Sequence, residues 1–238
     1  MLHFNSQVFP LYYYEPAPST QADMFSASAT GGDGFIRRDG VSDWILAQAR
    51  AAYGATVSKE DIFYYVYGFL HSPDYRTTYA NDLKKMLPRL PLVERAADFW
   101  AFSQAGQALA GLHVDYEQVP AHPQVQVNGA ESGFFAVEKM RFPAKDRKDT
   151  IIYNSAITVS HIPAAAYEYV VNGKSAIEWV MERYAVTTHK ESGIVNDPND
   201  WAREVGNPRY ILDLLLSVIH VSTQTVAIVA GLPRVVGE

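Results

Sequence analysis

The 238-residue sequence contains no cysteine. Disulfides, thiolate zinc sites, iron–sulfur clusters and cysteine nucleophiles are therefore excluded from this chain. It also lacks an excess of basic charge: 20 Lys and Arg stand against 26 Asp and Glu, a formal net charge of −6. Binding to nucleic acid through overall charge is excluded, so any such binding must come from a local patch. Charged residues make up 19% of the chain and hydrophobic residues 48%, which is enough apolar material for one large domain or two small ones. The N-terminal MLHFNSQVFPLYYYEP has no basic stretch leading into an apolar core and does not read as a secretory signal. The longest apolar stretch, Tyr210–Leu232, is interrupted by Asp213, His220, Ser222, Thr223 and Gln224. It predicts a buried helix rather than a membrane span. The expectation is a soluble cytoplasmic protein with no membrane partner.

What is plentiful is aromatic: 15 Tyr, 11 Phe and 4 Trp. Tyrosine buries a ring and keeps a hydroxyl at its edge, which suits interfaces as well as cores. The predicted fold class is α+β, a helical half followed by a small antiparallel sheet flanked by helices. The sub-parts are 1–112, mainly helical after a mobile Ser/Ala/Gly-rich loop at 16–34, and 113–238, sheet plus helices. Ser42 is a predicted N-cap, and Ser58 with Asp61 and Ser175 with Glu178 are predicted capping boxes. Helices are expected over Asp61–Leu70, Asp74–Leu87 (with Asp74 as its N-cap), Leu92–Leu112 and Tyr210 to about Ala230. Extended runs at Phe134–Phe142, Thr150–Asn154 and Ile157–His161 predict strands. The first two are expected to pair as an antiparallel hairpin. Tyr167–Val171 predicts a further strand, stopped by Asn172-Gly173.

Signs of catalysis are few. The seven His show no metal-ligand spacing, and His161 and His220 read as hydrogen-bonded structural residues. No nucleophile elbow and no phosphate-cradling or dinucleotide glycine loop is present. Pro73-Asp74 with Asp82-Leu83-Lys84, and Asp146-Arg147-Lys148, are near-matches to metal-dependent nucleases, but neither falls on the strands that chemistry needs. No catalytic residue, metal or cofactor is expected. The charged feature that stands out is KMRFPAKDRK, with Lys139, Arg141, Lys145, Arg147 and Lys148 against one acid. A two-stranded ribbon fits the DNA major groove, and loop cations hold phosphates. The bland alternative is a solvated hairpin tip, which charge runs usually are. The other candidate DNA-binding residues are Arg37, Arg38, Tyr75, Arg76, Lys84 and Lys85, the last two near Arg89. For Lys84 and Lys85 a late helical position would explain the charges through the macrodipole alone.

Several strings together resemble a known family: VFPLYYYE, FIRRDGVSDWIL, EDIFYYVYGFLHSPDYRTTYANDLKKMLPRLP, FFAVEKMRF, AYEYVVNGKSAIEWVMERY and SGIVNDPNDW. In this order they look like the C-terminal specificity region of type ISP single-polypeptide restriction–modification enzymes. The resemblance covers nearly the whole chain, and the 32-residue string from Glu60 is its most specific part. It implies a DNA target-recognition domain without catalysis, with double-stranded DNA as ligand. An adenine methyltransferase domain, fused or separate, is the implied partner. The family's nuclease, motor and methyltransferase motifs are missing here: there is no Walker lysine and no Asn-Pro-Pro-Tyr. That implies a cut-out domain, a truncated gene product or a separate specificity subunit. The rival class is a protein–protein scaffold whose Tyr-rich helices dock on another subunit.

Overall fold

The computed structural model describes residues 8–17, 30–31 and 34–235. Most of the loop expected at 16–34 lies outside them. The chain divides into two compact units, Met1–Gln107 with Leu232–Glu238, and Ala108–Gly231. Helices and small antiparallel sheets share the chain, so the fold class is α+β.

In the first unit β1 (Tyr12–Pro16) pairs antiparallel with β3 (Phe35–Asp39), and β2 (Thr30–Gly31) pairs with the other edge of β3. Four helices follow: α1 (Asp43–Tyr53), α2 (Lys59–Phe69), the short α3 (Pro73–Thr78) and α4 (Ala96–Val114), whose residues from Ala108 on belong to the second unit. Their starts are local chemistry. Ser42 accepts from the Ile45 N–H, and Ser58 and Asp61 form the expected capping box. Pro73 occupies the first turn of α3, where its missing N–H costs nothing, and Ser72 rather than Asp74 caps it. Helices α2 and α4 cross at two glycines. A Cβ on Gly68 would lie 2.1 Å from the Phe102 carbonyl oxygen, and one on Gly106 1.8 Å from that of Tyr64, so only glycine permits this approach.

The core of this unit is aromatic. Tyr53 and Tyr65 both stack on Phe99, at 4.3 and 5.0 Å between centroids, and Phe69 meets Phe102 and Tyr75. Three of these rings keep their hydroxyls useful. Tyr53 donates to the carbonyl of Val93 (2.6 Å), Tyr65 to that of Pro91 (2.7 Å) and Tyr75 to that of Arg89 (3.0 Å). The carbonyls are alternate ones along an extended segment, 89–93, so three helices grip one face of it. Burial raises the hydroxyl pKa of all three, that of Tyr53 to about 12. The helix expected over Asp74–Leu87 ends at Thr78, and turns follow to Met86. Asn81 and Asp82, which compete with helical backbone bonds, and the gripped segment beyond account for the early stop. Lys84 and Lys85 therefore do not sit in a last helical turn, and the macrodipole does not explain them.

The second unit is built round α7 (Tyr210–Ala230). This helix is long and apolar enough to span a membrane, but 61% of its most apolar window is buried. Leu212, Leu215 and Ile219 are fully enclosed. A sheet whose Ile151 and Val159 share the hydrophobic core with this helix runs β4 (Gln126–Asn128), β6 (Thr158–Ser160), β5 (Ile151–Ile152), all antiparallel. The Tyr167–Val171 strand is shorter than expected. β7 (Val170–Val171) turns at Asn172 and Gly173, both at positive φ, into β8 (Lys174–Ser175). Ser175 and Glu178 then open α5 (Ala176–Arg183) with the expected capping box. A second ribbon, β9 (Thr187–Thr188) with β10 (Val195–Asn196), precedes α6 (Asn199–Glu204).

The hairpin expected from Phe134–Phe142 and Thr150–Asn154 is not formed. Between them only Arg141 bridges Ile152. Phe134–Val137 is extended, but side chains replace a partner strand. Asn154 donates to the carbonyls of Phe134 (2.8 Å) and Ala136 (3.0 Å), and Tyr153 to that of Phe135 (2.9 Å). Asn199 bonds both the N–H and the carbonyl of Val137 at 2.8 Å. With all four of its carbonyls and the Val137 N–H taken by side chains, the segment does not depend on a ladder.

Candidate nucleic-acid interface

The candidate cations fall into two groups by what they touch. The first is occupied within the fold. Arg38 reaches Glu15 at 3.2 Å across the β1–β3 ladder, and Arg37 lies 4.2 Å over the Tyr12 ring, a cation–π contact. Lys148 bonds Glu178 at 2.9 Å and flanks the rings of Phe142 and Tyr167, while its carbonyl accepts from the Tyr167 hydroxyl. Hydrogen bonding from Lys148 holds the Glu178 carboxyl below its ordinary range. Lys148 thus ties the 143–149 connection to the start of α5. Arg147 lies 3.9 Å from Asp149, both exposed. Lys145, Arg147 and Lys148 therefore do not project together as free charges.

Tyr75 is corrected outright. It is 3% exposed, its ring is in the aromatic core and its hydroxyl is spent on Arg89. Adjacent to Arg76 in sequence, it looks like part of a surface pair, but it is the inward residue of α3.

The second group has no carboxylate within ion-pair distance among the described residues: Arg76, Lys84, Lys85 and Arg89 in the first unit, and Lys139, Arg141 and Lys145 in the second. All seven are exposed. In the first unit, Lys84 and Lys85 lie on the turns, and Arg89 opens the segment 89–93 where its carbonyl accepts from the Tyr75 hydroxyl. Arg89 also lines a cavity of about 510 Å³ with Tyr79, Asp82 and Met86. In the second unit, Met140 is buried between Lys139 and Arg141, so the alternation of an extended chain turns both cations outward. Most other surface cations are neutralised: Lys59 bonds Asp39 and Asp43, Arg95 bonds Asp98, Lys174 bonds Glu182, and Arg203 bonds Asp197 and Asp200.

Of the two histidines expected to be structural, His220 is held by hydrogen bonds on both ring nitrogens, while His161 is exposed and among the described residues meets only the neighbouring Ser160 hydroxyl. The Nδ1–H of His220 donates to the Pro120 carbonyl (2.7 Å), which fixes its tautomer, and its Nε2 accepts from Gln224. Among the described residues no group of His, Asp and Glu could hold a metal ion.

The family model of the Type ISP C-terminal specificity domain matches residues 1–214. The chain belongs to that family. The specificity domain is also similar to parts of three solved structures. One is the ATP-dependent Type ISP restriction-modification enzyme LlaBIII bound to DNA, at 38% identity and a TM-score of 0.78 over 94% of this chain. The second is a nuclease-deletion mutant of the Type ISP enzyme LlaGI in complex with a DNA substrate mimic, at 45% identity and 0.70 over 83%. The third is a DrdV–DNA complex, at 30% and 0.69 over 83%. The specificity domain spans only 13%, 14% and 20% of those chains. Among curated proteins it has no match.

The ribbon Thr187–Asn196 of this specificity domain is not legible as strands in the sequence. The alternation signal of two-residue strands is too short to detect.

Proposed function

We propose that this chain recognises a DNA target site for an adenine methyltransferase and restriction motor, fused to it or separate, in the cytoplasm, and that it catalyses no step itself. The observation that carries the reading is the uneven fate of the cations. On an acidic chain, Arg76, Lys84, Lys85 and Arg89, and Lys139, Arg141 and Lys145, are exposed without a carboxylate partner, while most of the others are paired. An exposed cation with no internal partner is the kind that neutralises phosphate and releases condensed counterions. Family membership and the DNA present in the three similar structures described above support the same reading.

The rival is a scaffold with no DNA contact. It draws on an apolar cavity of about 400 Å³ beside Phe9, Phe63, Val66 and Leu87, with Phe9 69% exposed. Fluorescence anisotropy of a labelled duplex over a salt series separates the two. DNA recognition requires binding whose logarithmic affinity falls linearly with the logarithm of salt. A scaffold gives no binding even at low salt.

A further inference from the structure

The ribbon Thr187–Asn196 is a costly thing for the second unit to keep. Every residue from Val186 to Asn196 is exposed, including Ile194 at 68% and Val195 at 57%. None of its residues is buried, and an isolated two-stranded ribbon is marginal in water. Yet it is well specified. Val195 pairs with Thr188 and Asn196 with Thr187, and the His189 N–H donates to the Ile194 carbonyl at 2.8 Å. The Ser192 N–H donates to Nδ1 of His189, so in the neutral ring the proton is on Nε2, as a donor.

Its two feet stand on one spot. The Val186 N–H donates to the carbonyl of Glu138 (2.8 Å), and just past β10 Asn199 bonds both backbone groups of Val137. Asp197 stiffens that foot by accepting from Asn199 and Arg203. The residues that follow Val137 and Glu138 include Lys139 and Arg141, two of the exposed cations without a carboxylate partner. A bare, internally bonded ribbon therefore rises beside a stretch able to hold phosphate.

We propose that the ribbon Thr187–Asn196 enters the DNA major groove and reads base edges, while Lys139 and Arg141 hold the flanking backbone; the proposal rests on the DNA-recognition reading above. Strands about 4.8 Å apart fit a groove about 12 Å wide. The side chains it offers match the groove's code. Nε2–H of His189 and the Lys190 ammonium can donate to guanine N7 or O6. Asn196 can pair with adenine, Glu191 can accept from cytosine N4, and the methyls of Ile194 and Val195 can meet that of thymine.

The test selects duplexes from a pool randomised over its centre, using the full chain, and compares it with two variants. One is Ile194→Ala with Asn196→Ala, which leaves every charge in place; the other is Lys139→Ala with Arg141→Ala. Thermal melts confirm folding, and Ile194→Ala alone, which only trims an exposed tip, serves as a milder version of the first. Wild type is expected to enrich a motif. The ribbon variant is expected to bind the unselected pool as wild type does, with the same salt slope, but to lose roughly tenfold or more preference at two or more motif positions. The cation variant should weaken binding to all duplexes and keep the motif. A ribbon variant that enriches the same motif equally well overturns the proposal, as does one that loses affinity for the whole pool. A wild type that binds without preference overturns base reading alone. A wild type that binds no duplex overturns the functional reading, and this one with it.

Discussion

Two extended segments, one in each unit, are held without a partner strand, and they are held differently. Along 89–93 three tyrosine hydroxyls take alternate carbonyls, those of Arg89, Pro91 and Val93. Along Phe134–Val137 two asparagines and a tyrosine take every carbonyl and one N–H. Pro91 brings no N–H to its segment, so donors on one side suffice there. Phe134–Val137 has no proline, and the Asn199 amide, donor and acceptor in one group, meets both needs of Val137. Both segments adjoin cations without a carboxylate partner, Lys84, Lys85 and Arg89 in one case and Lys139 and Arg141 in the other. Rigid backbone beside exposed charge is what the two units have in common.

The comparison predicts unequal costs of removal. Asn154→Ala should be the most damaging change. It strips the carbonyls of Phe134 and Ala136 of their donor and the N–H groups of Ala156 and Ile157 of their acceptor. At about 1–3 kcal/mol per orphaned buried group, a loss above about 3 kcal/mol is expected in urea unfolding. Tyr65→Phe, which keeps the ring and orphans a single carbonyl, should cost about 1 kcal/mol. Equal losses from the two would erase the distinction between a one-sided and a two-sided grip.

The smallest effect is expected at the Lys148–Glu178 pair, which is partly exposed and screened. The Glu178 pKa is lowered in the folded state from 4.5, chiefly by its hydrogen bond from Lys148. Its stabilisation is therefore present above 4.5 and is lost as pH falls through the folded value. Glu178→Gln keeps a capping-box side chain and should cost at most about 1 kcal/mol near neutral pH. Urea midpoints of variant and wild type should converge in acid. A difference that stays constant down to strongly acidic pH would assign the loss to packing instead.

What the sequence made legible was local. The caps at Ser42, Ser58 and Ser175 and the span of α7 follow from spacings of a few residues. The expected hairpin failed because what satisfies Val137 is Asn199, 62 positions away, and no period or turn signal in 134–142 reports it. Tyr75 was misread for a similar reason: its partner, the carbonyl of Arg89, is met only once the chain has turned back. Among the candidate cations, type and clustering were visible, but not pairing. Lys148 and Lys145 look alike in sequence, and Glu178 separates them. Family resemblance, carried by long strings such as that from Glu60, supplied the function that local patterns could not.

The central claim is that cations without carboxylate partners contact DNA and paired ones do not. It is tested most directly by two triple variants that remove equal charge: Lys84→Ala, Lys85→Ala and Lys139→Ala, against Arg38→Ala, Lys174→Ala and Arg203→Ala. Anisotropy with one labelled duplex over a salt series gives the slope of log affinity against log salt for each. At about 0.9 per lost phosphate contact, the first variant should flatten the slope by as much as about 2.7, and the second should leave it as in wild type. Equal flattening by both would mean that binding follows net charge alone, and would contradict the account.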